Sequence, residues 1–168
     1  MTEQTQRRIW LVADDYGISP AVSAAIRDLI LRGRINATSV MTTAPSFSTA
    51  EAVTLLDVAG LLDGGSKQAA IGLHVTLTGP FKPLTSGFAP LRDGAFLPLA
   101  AMAGRALARM HDASLLEAEI LSQFAAFREA FGRAPDYVDG HQHIHVFPQI
   151  GEALLRAVKR AAPQAWVR

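Results

Sequence analysis

The sequence contains no cysteine. Disulfides, thiolate metal sites and thiol nucleophiles are thereby excluded, and any bound metal must be held by histidine, aspartate or glutamate. The same absence fits a reducing compartment, so the default location is cytoplasmic. Charge is also sparse: 18% of residues are Asp, Glu, Lys or Arg, and the formal net charge is +1. No basic stripe is available for a nucleic-acid backbone or an anionic membrane, and Arg7-Arg8 and Arg32-Gly-Arg34 read as strand and helix edges. No run of about 18 apolar residues occurs, so no membrane span is expected. The polar segment Met1 to Arg8 lacks the separate charged, apolar and cleavage regions of a secretory leader.

What is present is a chain of 168 residues that is 49% apolar, enough for one domain core over residues 1–168 and too little for two. Arg8 to Ala13 is a short apolar run typical of a buried parallel strand, and it stops at Asp14-Asp15-Tyr16-Gly17. Ser19 and Pro20 supply an N-cap and a first helical residue for a helix reaching Arg32, which Gly33 ends. Ile35 to Met41 reads as a second strand, and the capping box Ser48 to Glu51 opens a helix ending near Val58. Gly64-Gly65-Ser66 is a loop, and Ala69 to Thr78 a third strand.

From Gly79 to Pro98 no period is visible, and about twenty residues of loop in a compact domain are commonly functional. Its apolar side chains Phe81, Phe88, Leu91 and Phe96 argue for an ordered lid or cleft wall. Helical spacing resumes over Leu99 to Met110, and a second capping box, Ser114 to Glu117, opens a helix ending at Phe131-Gly132. Tyr137 to Asp139 is a fourth strand, Pro148 to Ala162 a helix, and Trp166 to Arg168 the start of a fifth strand. This alternation predicts an α/β fold with parallel pairing and right-handed crossovers.

Three chemically loaded features fall at the carboxyl ends of these strands, where parallel α/β folds build their sites. They are Asp14-Asp15, His74, and Asp139-Gly-His141-Gln-His143-Ile-His145, which holds three of the five histidines at every second position. In an extended backbone His141, His143 and His145 would all face one side. One carboxylate and two imidazoles form a facial ligand set for a divalent cation, with Asp15, His74 and His141 as the natural trio. Asp14 then remains as a general base for water activated by the cation, and His143 or His145 as a donor to the leaving group or a developing oxyanion. Tyr16, Thr76 and Phe81 lie beside these residues and are candidate substrate contacts. Each feature also has a plainer reading: an Asp-Asp helix entry, a hydrogen-bonded core His74, and, for His111 beside Asp112, a solvated surface position.

Ala13 to Pro20, Ile71 to Thr78, and Val138 to His145 with Phe147-Pro148 resemble, in order and spacing, the successive motifs of YdjC-like carbohydrate deacetylases. The resemblance implies an irregular parallel (β/α) barrel that removes acetate from N-acetylated amino sugars such as chito-oligosaccharides, using one divalent metal, with zinc or magnesium as the leading candidates. It places Asp15, His74 and His141 as metal ligands and Asp14 as the catalytic base, with His143 and His145 lining the site. Residues 77–84 and 91–97 are similar to the branch associated with hopanoid biosynthesis, HpnK, which implies an N-acetylglucosaminyl group on a hopanoid lipid as substrate. A full barrel takes about 250 residues, so the resemblance also implies a C-terminally incomplete barrel of about five strands, whose open sheet edges invite homodimerisation. Other readings of the same residues are a metallo-phosphoesterase, against which the lack of a basic phosphate cradle counts, and a noncatalytic carbohydrate- or lipid-binding fragment with a structural metal.

Overall fold

The computed structural model describes residues 9–61 and 68–168. Arg7-Arg8, the rest of the first eight residues and the loop at Gly64-Gly65-Ser66 lie outside the described residues. The elements run β1 (Val12–Tyr16), α1 (Pro20–Leu31), β2 (Ala37–Val40), α2 (Thr49–Val58), β3 (Ala70–Val75), β4 (Leu91–Arg92), β5 (Ala95–Phe96), α3 (Leu99–Leu107), α4 (Ala113–Phe131), β6 (Tyr137–Gly140), a 3₁₀ turn (His141–Val146), α5 (Ile150–Ala161) and β7 (Trp166–Val167). Five strands form one sheet in the order β1-β2-β3-β6-β7, and every pairing is parallel. Spatial order follows chain order, as in a singly wound barrel; a doubly wound sheet would reverse at a switch point. The α/β part-barrel expected from the sequence is the fold observed.

Side-chain alternation divides this sheet into two faces. Ala13, Tyr16, Val40, Ile71, Leu73, Val75 and Val138 face the helices and join the main core with Ile26, Leu55, Leu116, Ile120, Phe124, Phe127 and Leu154. The opposite, concave face carries Val12, Ala37, Ala70, Tyr137 and Trp166 at the amino end of the strands. Tyr137 stacks on Trp166 at 4.5 Å, and Trp166 on Trp10 at 5.8 Å, so one aromatic column links both edge strands. Gly72 makes room for this column, since a Cβ there would lie 2.5 Å from the Tyr137 ring.

Several local expectations are corrected. The first strand begins at Val12 and runs through both aspartates, while Ile9, Trp10 and Leu11 are exposed. Its position is set by parallel pairing of Val12 with Ala37, which the apolar run could not reveal. Helix α4 is capped by Asp112, whose carboxylate accepts from the Ser114 and Leu115 N–H groups. Ser114 therefore does not cap it, and Glu117 pairs instead with Arg156 and Arg160 of α5. His111 is buried, with Nε2 donating to the Met102 carbonyl at 3.0 Å and its backbone N–H donating to Gln149. The long loop is ordered and contains the hairpin β4–β5, with Phe88 and Phe96 packed edge to face at 5.1 Å.

Candidate metal and catalytic site

At the carboxyl end of the sheet the concave face turns polar. Continuing the same alternation, the inward residues are Asp14 on β1, Ser39 on β2, His74 on β3, Asp139 on β6 and Arg168 just past β7. Adjacent residues of a strand normally face opposite sides, yet Asp14 and Asp15 both reach this site. The strand register is irregular between Ala13 and Tyr16, and Asp15 adopts a left-handed backbone with φ of 66°. The local distortion swings a second carboxylate over the strand end.

Asp15 Oδ1 lies 3.2 Å from His74 Nε2 and 2.9 Å from His141 Nδ1. One carboxylate oxygen thus sits between two imidazole nitrogens. The far side of His74 is held by Asp139, with Nδ1 2.6 Å from Oδ1 of a fully buried carboxylate. Ser39 Oγ completes this contact, 3.1 Å from His74 Nδ1 and 3.2 Å from Asp139 Oδ2. Because an ionised carboxylate only accepts, Asp139 fixes a proton on Nδ1 and directs Nε2 toward Asp15. Burial disfavours the His74 cation, but hydrogen bonds to Asp139 and Asp15 outweigh it and push its pKa up to about 9. Hydrogen bonds from His141, then from His74, hold the Asp15 carboxyl well below the usual range against the opposing effect of burial.

Asp15, His74 and His141 are a group that could hold a metal ion, with one ligand atom from each and all three atoms within 4.8 Å of one another. The donor set fits a divalent cation. Atoms bound to zinc at about 2.0–2.2 Å are separated by about 2.9–3.5 Å across the edges of the coordination polyhedron. The two contacts of 2.9 and 3.2 Å fall in that interval. A carboxylate–histidine contact on the remote nitrogen of His74 is the usual outer support of a metal-binding imidazole.

Asp14 stands beside the trio without joining it. Its Oδ2 accepts from Arg168 at 2.7 Å, and the same guanidinium nitrogen reaches Asp139 at 3.0 Å. The Asp14 side chain is 32% exposed, so water has access to it.

The extended row of three histidines is corrected. Strand β6 ends at Gly140, and Gln142 and His143 adopt left-handed backbones with φ of 54° and 55°. His141 consequently turns into the site, His143 is exposed, and Ile144 enters the core. His145 is buried against Gly140 and donates from Nε2 to the Arg168 carbonyl at 2.9 Å. Burial lowers the pKa of its imidazole.

Among the candidate substrate contacts, Phe81 presents its ring to the cluster, edge-on to His141 at 5.4 Å. Tyr16 is fully buried on the helix side, its hydroxyl bound to Arg27 and Glu51. Thr76 is buried, with its backbone paired to Gln123. Neither offers surface to a substrate. Asp139, Ser39 and Arg168 were not singled out from the sequence. Asp139 alone left a signal, two residues before His141 and therefore on the same face of an extended strand.

A parallel α/β part-barrel with a carboxylate and histidine cluster at the carboxyl edge of its sheet is thus the class defined by fold and site. The sequence profile of the YdjC-like protein family matches residues 8–168, and the chain belongs to that family. It is 30% identical over 150 residues to a chitooligosaccharide deacetylase of Escherichia fergusonii, covering 86% of this chain and 53% of that protein. Among solved structures it resembles a protein of Enterococcus faecalis V583 named for a suggested role in cellobiose-phosphate cleavage. That match has a TM-score of 0.75 and 24% identity, and covers 95% of this chain and 57% of the other. This second likeness carries the fold alone. The chain spans about half the length of the relatives it matches.

Proposed function

We propose that this chain carries the metal-binding half-site of a carbohydrate N-deacetylase, in which Asp15, His74 and His141 hold one divalent cation and Asp14 is the general base. The observation that carries the reading is the Asp15 carboxylate placed between His74 and His141, with His74 braced by buried Asp139. Two imidazoles and one carboxylate favour zinc or another first-row ion over magnesium, which prefers oxygen donors and retained waters. When bound, the cation supplies Lewis acidity, polarising an acetamide carbonyl and acidifying water.

The protein's own groups supply the rest. Arg168 holds Asp14 Oδ2 and Ser39 Oγ lies 3.4 Å from Oδ1, and this partly exposed carboxylate is assigned to accept a proton from attacking water. The new C–O bond forms at the acetyl carbon, the C–N bond breaks, and the amine leaves with one added proton. Exposed His143 is assigned to deliver that proton, while His145, bound to the Arg168 carbonyl, supports the arginine.

The substrate class proposed is an N-acetylated amino sugar, supported by the likeness to a chitooligosaccharide deacetylase. We extend the proposal to a hopanoid-linked N-acetylglucosaminyl group, supported by the sequence resemblance of residues 77–97 and by exposed Leu84 and Leu91 on that loop. The test is acetate release from chito-oligosaccharides and from N-acetylglucosaminyl lipids, with metal content measured in parallel, on this chain and on a version extended to family length. One equivalent of divalent metal and turnover abolished by Asp14→Asn are expected. Metal-free protein of normal fold, with no acetate released by either version, would overturn the reading.

A further inference from the structure

The long segment after β3 need not be a lid, because its attachment to α4 is buried and polar. Glu119 of α4 is fully buried, and four donors converge on its carboxylate. They are Leu84 N–H at 3.1 Å, Thr85 N–H at 2.9 Å, Thr85 Oγ at 2.8 Å and Gln123 Nε2 at 2.9 Å. One turn further along the helix, Gln123 grips the backbone of Thr76 on both sides, accepting from its N–H at 2.9 Å and donating to its carbonyl at 2.8 Å. Thr76 lies two residues beyond His74, and its hydroxyl donates to the His74 carbonyl at 3.1 Å. Between Thr76 and Leu84 the chain passes through Phe81, which meets His141 edge-on. Phe81 is itself tied to the return strand, its carbonyl accepting from Phe96 N–H at 2.9 Å.

Two neighbouring side chains of one helix therefore clasp both the strand that delivers His74 and the segment that walls off His141. A lid that opened would leave a buried carboxylate short of three of its four donors, and unpaired buried charge is among the costliest changes available to a fold. Apolar packing would hold such a segment without choosing one position for it, whereas directional bonds to successive backbone amides select one.

We propose that Glu119 and Gln123 are positioning residues that fix residues 79–98 as a stationary wall of the substrate cleft, and that this wall governs how well the sugar is held against His141. The kinetic part rests on the deacetylase reading above; the structural part does not.

The experiment is backbone hydrogen–deuterium exchange on the 168-residue chain, with and without zinc, for the unaltered protein, Glu119→Gln and Thr85→Ala. The unaltered protein should show the Leu84 and Thr85 amides protected about as strongly as those of β3. Glu119→Gln should speed exchange across residues 79–98 by about tenfold or more while β1 to β3 stay protected, and zinc affinity should stay within about threefold. In a form with measurable turnover, KM should rise at least about fivefold with kcat within about twofold, the signature of lost binding without lost chemistry. If Glu119→Gln fails to fold, Thr85→Ala decides, since it removes a single hydroxyl contact and should show the same local loosening in smaller measure. Unprotected Leu84 and Thr85 amides in the unaltered protein would overturn the proposal, and so would a loosened wall that leaves KM unmoved. If no acetate is released by any form, the deacetylase reading fails, and the exchange data still decide whether the wall is stationary.

Discussion

Replacing Asp139 by asparagine should weaken metal binding strongly although Asp139 is assigned no bond to the metal. Its carboxylate holds His74 Nδ1 at 2.6 Å, and both side chains are essentially excluded from water. A buried hydrogen bond to a charged group contributes about 1.5–3 kcal/mol. Asparagine retains the shape and can still accept through its carbonyl, but it no longer fixes the imidazole proton by charge. With about 1.4 kcal/mol per tenfold, removing the charge predicts a loss of roughly tenfold to hundredfold in affinity, the range usual for outer supports of metal-binding histidines. Calorimetric titration of metal-free protein with zinc reads this directly, and circular dichroism before titration checks that the variant is folded. Asp14→Asn is the control: Asp14 is paired with Arg168 and is not one of the three assigned ligands, so its affinity should stay within about threefold of the unaltered protein. A folded Asp139→Asn protein that binds zinc as tightly as the parent would refute the brace, and with it the assignment of His74 as a ligand.

Further outcomes follow from the same geometry. His74 is pushed up to about 9 in the metal-free chain, so at about pH 7.5 each zinc bound should displace about one proton. Calorimetry in buffers of different ionisation enthalpy counts that proton, and affinity should rise with pH toward about 9. By the same linkage, the stability that His74 gives the metal-free fold is fully present below its ordinary value of 6.5 and is lost as pH rises through about 9; urea midpoints across that window should fall. Arg168→Met frees Asp14 and should lower turnover by at least about tenfold with zinc affinity changed less than about threefold; equal loss of both would show that Arg168 serves the metal site as a whole. Gly72→Ala places a methyl 2.5 Å from the Tyr137 ring and should cost about 1–3 kcal/mol by urea unfolding, with no cost if Tyr137 can yield.

The strand and helix alternation, the parallel sheet and the gathering of Asp15, His74 and His141 were legible because each depends on short-range pattern plus one rule about sheet edges. What sequence did not disclose depends on backbone events that the pattern cannot carry. Left-handed residues at Gln142 and His143 break the extended row, so only His141 enters the cluster and His145 becomes a buried brace for Arg168. The bulge at Asp15 brings two adjacent aspartates onto one side, where simple alternation would separate them. His111 beside Asp112 looked solvent-facing, but tertiary packing of α3 and α5 encloses it. Arg168 and Asp14 are 154 positions apart, and only the curvature of the sheet makes them neighbours.

The aromatic column on the concave face has an optical consequence. The chain has two tryptophans, and both belong to that column, stacked on each other from opposite edges of the sheet, with Trp166 also stacked on Tyr137. Indole emission and near-ultraviolet dichroism will therefore report whether the two edges remain curled toward each other. They will be silent about Phe81 and its loop at the far end of the strands. A titration followed by intrinsic fluorescence is thus a gauge of sheet curvature, and any metal-induced change in it means that events around Asp15 have been transmitted along the whole length of the strands.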